Sequence, residues 1–165
     1  MDYAGQGRGL AGDAGVVSKA ADGKTSGPLS QLRFECTECG ECCTNRGEYS
    51  YVYVDDEELR GIAALLDMTP AELQRRHTFV DDDGLRQLAF SQGRCTFLDS
   101  ESQRCKVYAA RPSQCRTFPV WPELISRGRW NSEARRLCEG VGEGPRFSRA
   151  EVAARLAEVR RRDEA

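Results

Sequence analysis

Residues 34–43 read Phe-Glu-Cys-Thr-Glu-Cys-Gly-Glu-Cys-Cys, and this stretch places four cysteines in a C-x2-C-x2-C-C pattern. Two thiolates at C-x2-C spacing can reach one ion from a single turn of the chain, and Gly40 relieves backbone crowding there. Thiolates are soft donors suited to zinc, iron–sulfur clusters or copper(I). The stretch therefore predicts a metal site, and a metal ion is an effective stabiliser of a small, irregular domain.

Four more cysteines lie farther along the chain, at Cys95, Cys105, Cys115 and Cys138. The adjacent Cys42 and Cys43 point to opposite faces of an extended segment, or diverge by about 100° in a helical turn. Two such thiolates do not easily complete one tetrahedral site. We therefore expect two metal positions close together, each combining cysteines from the 34–43 stretch with distant ones.

Other roles for the cysteines stay open at this point. Cysteine also packs as a small apolar residue, and spacing alone does not exclude that role for Cys95, Cys105 and Cys115. Disulfides are a second alternative, although cytosolic thiols are kept reduced. The 34–43 stretch also resembles the first three ligands of a ferredoxin-type run. Because that run's fourth cysteine is missing, a four-iron cluster would need Cys43 or a distant cysteine.

Cations near the thiolates would offset their negative charge. Four thiolates around one zinc ion leave a net charge of about −2. Five arginines lie close in sequence to cysteines, at Arg46, Arg94, Arg104, Arg111 and Arg116. We predict that Arg111 and Arg116 lie beside the ligands and help to hold the metal cofactor.

The composition of the chain excludes several classes of protein. Its 165 residues suit one domain, and its formal net charge of −2 comes from 24 basic and 26 acidic residues. A nucleic-acid partner is therefore not expected, since such binders carry a basic excess. No apolar run is long enough for a membrane span, and the N-terminus does not resemble a secretory signal. We expect a cytoplasmic protein.

The pattern along the chain predicts a small, irregular α+β domain of short helices and short strands. We expect a disordered leader over residues 1–31, a cysteine-cluster metal-binding domain over 32–147 and an amphipathic helix over 148–165. Asp55 and Thr69 should each cap a helix, as should Ser148 at the start of the last one. Strands are expected over residues 49–54 and 85–90. Residues 95–98 and 105–108 should pair as a hairpin.

Two other features have plain structural interpretations. His77 is the only histidine. It has no partner at ligand spacing, so we interpret it as a surface residue rather than a metal ligand. The acidic run over residues 55–58 suits the start of a helix, where carboxylates interact favourably with the helix dipole. The apolar segment over residues 118–122 should pack over the metal site and exclude water.

Three segments together resemble the YkgJ-type cysteine-cluster family, which is described as a zinc- or iron-chelating domain. They are residues 34–43, Gly93-x-Cys-x-Phe-Leu98, and Cys105-x-Val-Tyr-x-x-Arg-Pro-x-x-Cys-Arg-x-Phe-Pro119. The resemblance covers about residues 32–145. The family usually has Cys-Pro-Gly near its end, where this chain has Cys138-Glu-Gly. The resemblance implies metal binding through all eight cysteines: Cys36, Cys39, Cys42, Cys43, Cys95, Cys105, Cys115 and Cys138.

The resemblance implies no particular reaction. A related cysteine cluster occurs in flagellin lysine N-methylases, so methyl transfer stays open. We therefore expect a metal-binding protein for zinc or iron, with an iron–sulfur cluster among the forms that the metal can take. The alternatives are an iron–sulfur-dependent redox or methyl-transfer enzyme and a zinc-stabilised protein-interaction module. The expected partner is the metal ion, without a membrane, and the sequence names no protein partner.

Overall fold

The structure, a computed structural model, describes residues 32–44, 51–126 and 129–163. The predicted leader over residues 1–31 lies outside the described residues, as does the start of the strand expected at 49–54. The described helices are α1 (Asp56–Leu65), α2 (Pro70–His77), α3 (Ser113–Thr117), α4 (Pro122–Ile125), α5 (Arg135–Leu137) and α6 (Arg149–Asp163). The strands are β1 (Arg33–Phe34), β2 (Thr78–Val80), β3 (Arg86–Leu88), β4 (Phe90–Ser91), β5 (Arg94–Cys95) and β6 (Val141–Arg146). This is the expected small α+β domain.

The predicted helix starts are confirmed by their hydrogen bonds. Asp55 Oδ1 accepts from the Glu58 backbone N–H at 2.7 Å, and Glu58 Oε2 accepts from the Asp55 N–H at 3.2 Å. The Thr69 hydroxyl accepts from the Glu72 N–H at 3.2 Å. Ser148 and Glu151 form a second reciprocal pair, like that of Asp55 and Glu58. Each cap satisfies backbone donors that lack a partner within the helix, which explains why local sequence sets these boundaries.

The strands pair antiparallel in three two-stranded sheets, β1 with β6, β2 with β3 and β4 with β5. The strand expected over residues 85–90 is divided between β3 and β4. Residues 52–54 run alongside β3, where Leu88 donates to Val52 O and Val54 donates to Arg86 O. The sequence analysis did not predict β6, because its glycines and proline have low strand propensity.

The hairpin predicted between residues 95–98 and 105–108 is present only at its centre. The two segments meet at an antiparallel bridge between Leu98 and Cys105, flanked by hydrogen bonds from Lys106 N–H to Phe97 O at 2.8 Å and from Asp99 N–H to Arg104 O at 2.9 Å. Beyond it, Leu98 N–H donates back to Cys95 O, and Tyr108 N–H donates back to Cys105 O. Because the chain turns on both sides of the bridge, the pairing stays short.

Two apolar cores form within the described residues. The first, which we call the helical core, is built around Val120, Leu124, Leu137 and Val141, and α6 adds Val152 and Val159. The second, the strand core, is built around Leu59, Ile62, Leu73, Leu88, Phe97 and Val107. Cys95 is buried in the strand core, while Cys138 packs against the helical core. The cysteines therefore lie where the two cores meet.

None of the helices in the described ranges is long and apolar enough to cross a membrane.

Candidate metal centre

All eight cysteines line one cavity of about 260 Å³. They come from segments up to 102 residues apart, since Cys36 and Cys138 both contribute to its wall. Three arginines share the lining, Arg111, Arg116 and Arg155. The fold therefore gathers in one place the cysteines that are dispersed along the sequence.

The 34–43 stretch turns into this cavity at Gly40. This residue has φ +77°, the left-handed region that favours glycine, and it precedes a 3₁₀ turn over Glu41–Cys43. A Cβ atom here would overlap the backbone oxygen of Gln103 and lie 2.8 Å from Leu98 Cδ1. Glycine is therefore required both by the backbone conformation and by the close approach of the 98–103 loop.

Replacing Gly40 with alanine should lower the free energy of unfolding by about 2–4 kcal/mol, from strain and overpacking together. Gly61→Ala is the matched control, because Gly61 lies inside α1 with open space around its Cα. The control should raise stability by about 1 kcal/mol through helix propensity. Urea unfolding of both metal-loaded variants measures this. Equal effects of the two substitutions would contradict the requirement for glycine at Gly40.

The first and last cysteines meet through the β1–β6 pair. Glu35 N–H donates to Gly140 O at 3.2 Å, just beyond Cys138. The Thr37 hydroxyl donates to Glu139 Oε1 at 2.7 Å. Because these bonds join the two segments residue by residue, the Cys36–Cys39 loop lies beside Cys138. Electrostatic interactions of Cys138 with Cys36 and Cys39 reflect this proximity.

Cys43 meets a different group of cysteines. A bridge between Thr44 and Arg94 lays the end of the 3₁₀ turn against β5, which ends in Cys95. The Cys43 thiol hydrogen-bonds with Cys105 and with Cys42. The adjacent Cys42 and Cys43 therefore connect the two groups of cysteines in space.

Cys115 is held in place by its buried neighbour Gln114, on α3. Gln114 is only 2% exposed, and both ends of its amide are satisfied. Its Nε2 donates to Tyr51 O at 2.8 Å, and its Oε1 accepts from the Tyr53 N–H at 3.0 Å. The Gln114 side chain thus connects α3 by two hydrogen bonds to the extended segment over residues 51–54.

Gln114→Leu should lower the free energy of unfolding by about 1–3 kcal/mol. Leucine keeps the apolar volume but cannot make the two part-buried hydrogen bonds that Gln114 makes with Tyr51 O and Tyr53 N–H. Thermal and urea unfolding of the metal-loaded variant provide the measurement. A decrease in the free energy of unfolding below about 0.5 kcal/mol is typical of a neutral surface substitution. That result would show that the hydrogen bonds of Gln114 are not needed for stability.

Burial raises the pKa of several cysteines, whereas a hydrogen bond from a neighbouring thiol lowers the pKa of Cys105. Burial raises the pKa of Cys95 and of Cys138 to about 11. It also raises the pKa of Cys115. The hydrogen bond from Cys43 lowers the pKa of Cys105 to about 7, with help from Arg111. Because several thiols are held protonated by burial, metal binding must displace their protons.

The two arginines predicted beside the ligands have different surroundings. Arg111 stacks on the Tyr108 ring, with its guanidinium carbon 3.5 Å from the ring centre, and interacts electrostatically with Cys42, Cys105 and Cys115. Arg116 lines the cavity, but its guanidinium forms an ion pair with Glu158 at 2.7 Å. Arg111 is therefore the one of this pair whose charge acts on the thiols.

Sequence reasoning missed two cavity residues. The Tyr108 phenol hydrogen-bonds with Cys36, and that bond raises the pKa of Tyr108. Arg155, from α6, lines the cavity and donates to Arg116 O at 2.7 Å. The position of Tyr108, three residues after Cys105, was an available signal. Nothing in the local sequence of α6 indicated Arg155.

His77 does not line the cysteine cavity. Its Nδ1 lies 2.7 Å from the Thr96 hydroxyl, and its ring packs on Phe97 with a centroid distance of 4.9 Å. It is half-buried rather than fully exposed. The predicted cover over the site is present in part, since Phe118 lines the cavity and Trp121 is buried next to it.

Within the parts of the chain that the structure describes, no three Cys, His, Asp or Glu side chains are arranged to hold an ion in their present positions. The thiols stand around the cavity wall. The donor set itself fits a soft metal ion, because it consists of eight sulfurs with Arg111 supplying positive charge.

Comparison with known proteins agrees with this donor set. A family model named CxxCxxCC and described as "Putative zinc- or iron-chelating domain" matches residues 35–139. A protein of Methanocaldococcus jannaschii, described as uncharacterized, is 30% identical over 91 residues, which cover 55% of this chain and 47% of that protein. The match thus spans about half of that relative's length. No solved structure matches this chain.

Proposed function

Because this chain belongs to the CxxCxxCC family of zinc- or iron-chelating domains, we propose that its eight cysteines are the ligands of two neighbouring metal positions. The protein is a metal-binding cysteine-cluster protein without an assigned reaction. The observation that carries the proposal is the shared cavity, whose wall includes every cysteine of the chain. If the cysteines were only small apolar residues of separate cores, we would not expect all eight to line the same cavity.

The chemistry of the donors favours zinc or iron over hard cations. Sulfur ligands select zinc, iron–sulfur clusters and copper(I), whereas magnesium and calcium prefer oxygen. The two carboxylates beside the thiols, Glu38 and Glu139, interact with cysteines and already have partners in Arg104 and Thr37. A bound metal would supply a soft Lewis acid at this site, where cysteines from both cores would hold it. Arg111 offsets part of the remaining negative charge.

The count of the thiols and the adjacency of Cys42 and Cys43 support two metal positions. Eight thiolates divide into two tetrahedral sets of four, the usual complement of a structural site. Cys42 and Cys43 cannot easily serve the same tetrahedron, since neighbouring side chains diverge. A four-ligand site is closed and therefore stores metal or stabilises the fold, while a site with an open position can act in catalysis.

Thiol protection tests the ligand assignment. The protein as purified should be treated with N-ethylmaleimide and analysed by mass spectrometry, before and after chelation and denaturation. We expect no more than one modified cysteine before chelation and eight afterwards. Modification of four or more cysteines in the metal-loaded protein would contradict the assignment. Disulfides would be revealed by fewer than eight reactive thiols after chelation, and that result would also contradict it.

An iron–sulfur form is the second candidate, because the C-x2-C-x2-C run presents three thiolates from one short loop. Colour separates the two forms. Brown protein purified without oxygen, carrying sulfide as well as iron, supports the cluster and a redox or methyl-transfer role. Colourless protein that carries zinc supports a storage, structural or interaction role.

A further inference from the structure

We infer that the two metal positions are unequal: an inner position that is permanently held, and an outer one through which metal enters and leaves. This inference rests on the proposed function and assigns a role to each position. We call Cys43, Cys95, Cys105 and Cys115 the inner set, and Cys36, Cys39 and Cys138 the outer set. Cys42 lies between the two sets, and it completes the outer position because it cannot easily share a tetrahedron with Cys43.

The division follows from packing. All four members of the inner set belong to the strand core or pack against it. In the outer set, Cys138 packs against the helical core instead. Cys36 and Cys39 lie on a loop whose neighbours Glu35 and Thr37 are exposed. The inner set is therefore held by an apolar core, and the outer set is held at the edge of the cavity.

The interactions among the thiols give the same division. Cys115 interacts with Cys95 and Cys105, and Cys43 hydrogen-bonds with Cys105. In the outer set, Cys138 interacts with Cys36 and Cys39. Cys42 interacts with members of both sets, and it is classed as exposed in the structure. Its interactions with Cys39 and Cys138 support its role as the fourth ligand of the outer position.

Charge distinguishes the positions further. Arg111 acts on Cys105 and Cys115, so the inner set has its own compensating cation. Glu139 interacts with Cys39 of the outer set and accepts a hydrogen bond from Thr37. The carboxylate near the inner set, Glu38 beside Cys105, forms an ion pair with Arg104. A negative residue beside a cavity raises the local concentration of incoming cations. The outer position thus lies beside exposed residues and a negative charge that attracts metal ions.

Zinc release tests the inequality. Full-length protein loaded with zinc should be mixed with excess pyridylazoresorcinol, a chelator that becomes coloured on binding zinc. We expect two phases of about one equivalent each, the first roughly tenfold faster or more. Release of both equivalents in one phase would overturn the inference while leaving the proposed function intact. Protein that binds neither zinc nor iron would overturn the proposed function itself.

Two cysteine variants assign the phases. Cys138→Ser should lose the fast equivalent, keep the slow one and stay folded by circular dichroism. Cys115→Ser should lose the slow equivalent. If Cys138→Ser abolished both phases or neither, or removed only the slow one, the assignment would be wrong. Should Cys115→Ser not fold, the Cys138→Ser result alone still decides the assignment.

A charge variant tests the entry route. Glu139→Gln keeps the oxygen that accepts from Thr37 but removes the negative charge. We expect zinc uptake at the outer position to slow on the order of two- to fivefold at low salt, with the difference disappearing at high salt. Glu143→Gln is the matched control, because Glu143 is exposed on β6, five residues beyond Cys138, whereas Glu139 directly follows Cys138. Equal uptake rates for both variants would overturn the steering role of Glu139.

Discussion

Removing the metal should unfold the protein. The cysteines lie where the helical core and the strand core meet. A bound metal would therefore cross-link segments that short helices and strands stabilise only weakly. In the part of the chain that the structure describes, three of the six strands contain only two residues, and most of the α-helices are shorter than two and a half turns. Structural zinc contributes on the order of 10 kcal/mol in small domains, which is comparable to the whole stability of such a domain.

The measurement is far-ultraviolet circular dichroism and thermal melting, before and after a chelator has removed the metal. We expect loss of the helical signal and of a cooperative transition. Adding zinc back should restore both, which serves as the control against irreversible damage. Retention of the melting temperature after verified metal removal would show that the two apolar cores hold the fold without metal.

Cys95→Ser should cause the largest loss of any single substitution considered. Cys95 is 8% exposed, within the strand core, and it lines the metal cavity. Serine is a poor ligand for soft metals and also buries a hydroxyl group. We expect loss of about one metal equivalent and a decrease of about 4 kcal/mol or more in the free energy of unfolding. Cys95→Ala avoids the buried hydroxyl and should lose the same metal.

His77→Ala is the comparison for this substitution. It removes the contact with Thr96 and the packing on Phe97, so it should lower the free energy of unfolding by about 1 kcal/mol. The metal content should not change, because His77 does not line the cavity. Metal analysis and urea unfolding of both variants decide between the two roles. Equal metal loss in both would contradict the ligand assignment.

Local sequence predicted the parts of the fold that depend on local interactions. The caps at Asp55, Thr69 and Ser148 were predictable, because a cap is a contact between residues three positions apart. The hairpin between residues 95–98 and 105–108 was predicted too long, because strand-like composition does not exclude tight turns on both sides of the Leu98–Cys105 bridge. The β1–β6 pair was missed because it joins residues more than 100 positions apart through a glycine-rich segment.

The candidate site was predictable in its chemistry but not in its arrangement. Residue type and spacing predicted cysteine donors with Arg111 nearby, and the structure places these residues in the wall of one cavity. The division into inner and outer sets depends on which core each cysteine packs against, a property of tertiary structure. Tertiary structure also determines the contact between Tyr108 and Cys36. It likewise determines the place of Arg155 in the cavity wall.

Metal analysis of the native protein tests most directly whether eight cysteines hold two metal positions. The protein should be purified without oxygen and without a metal-affinity column. Its zinc, iron, copper and sulfide should then be quantified per chain, and its optical spectrum recorded. We predict about two zinc ions per chain, or an equivalent load of iron with sulfide, accompanied by eight reduced thiols. A chain that is folded, free of metal and fully reduced would contradict the proposal.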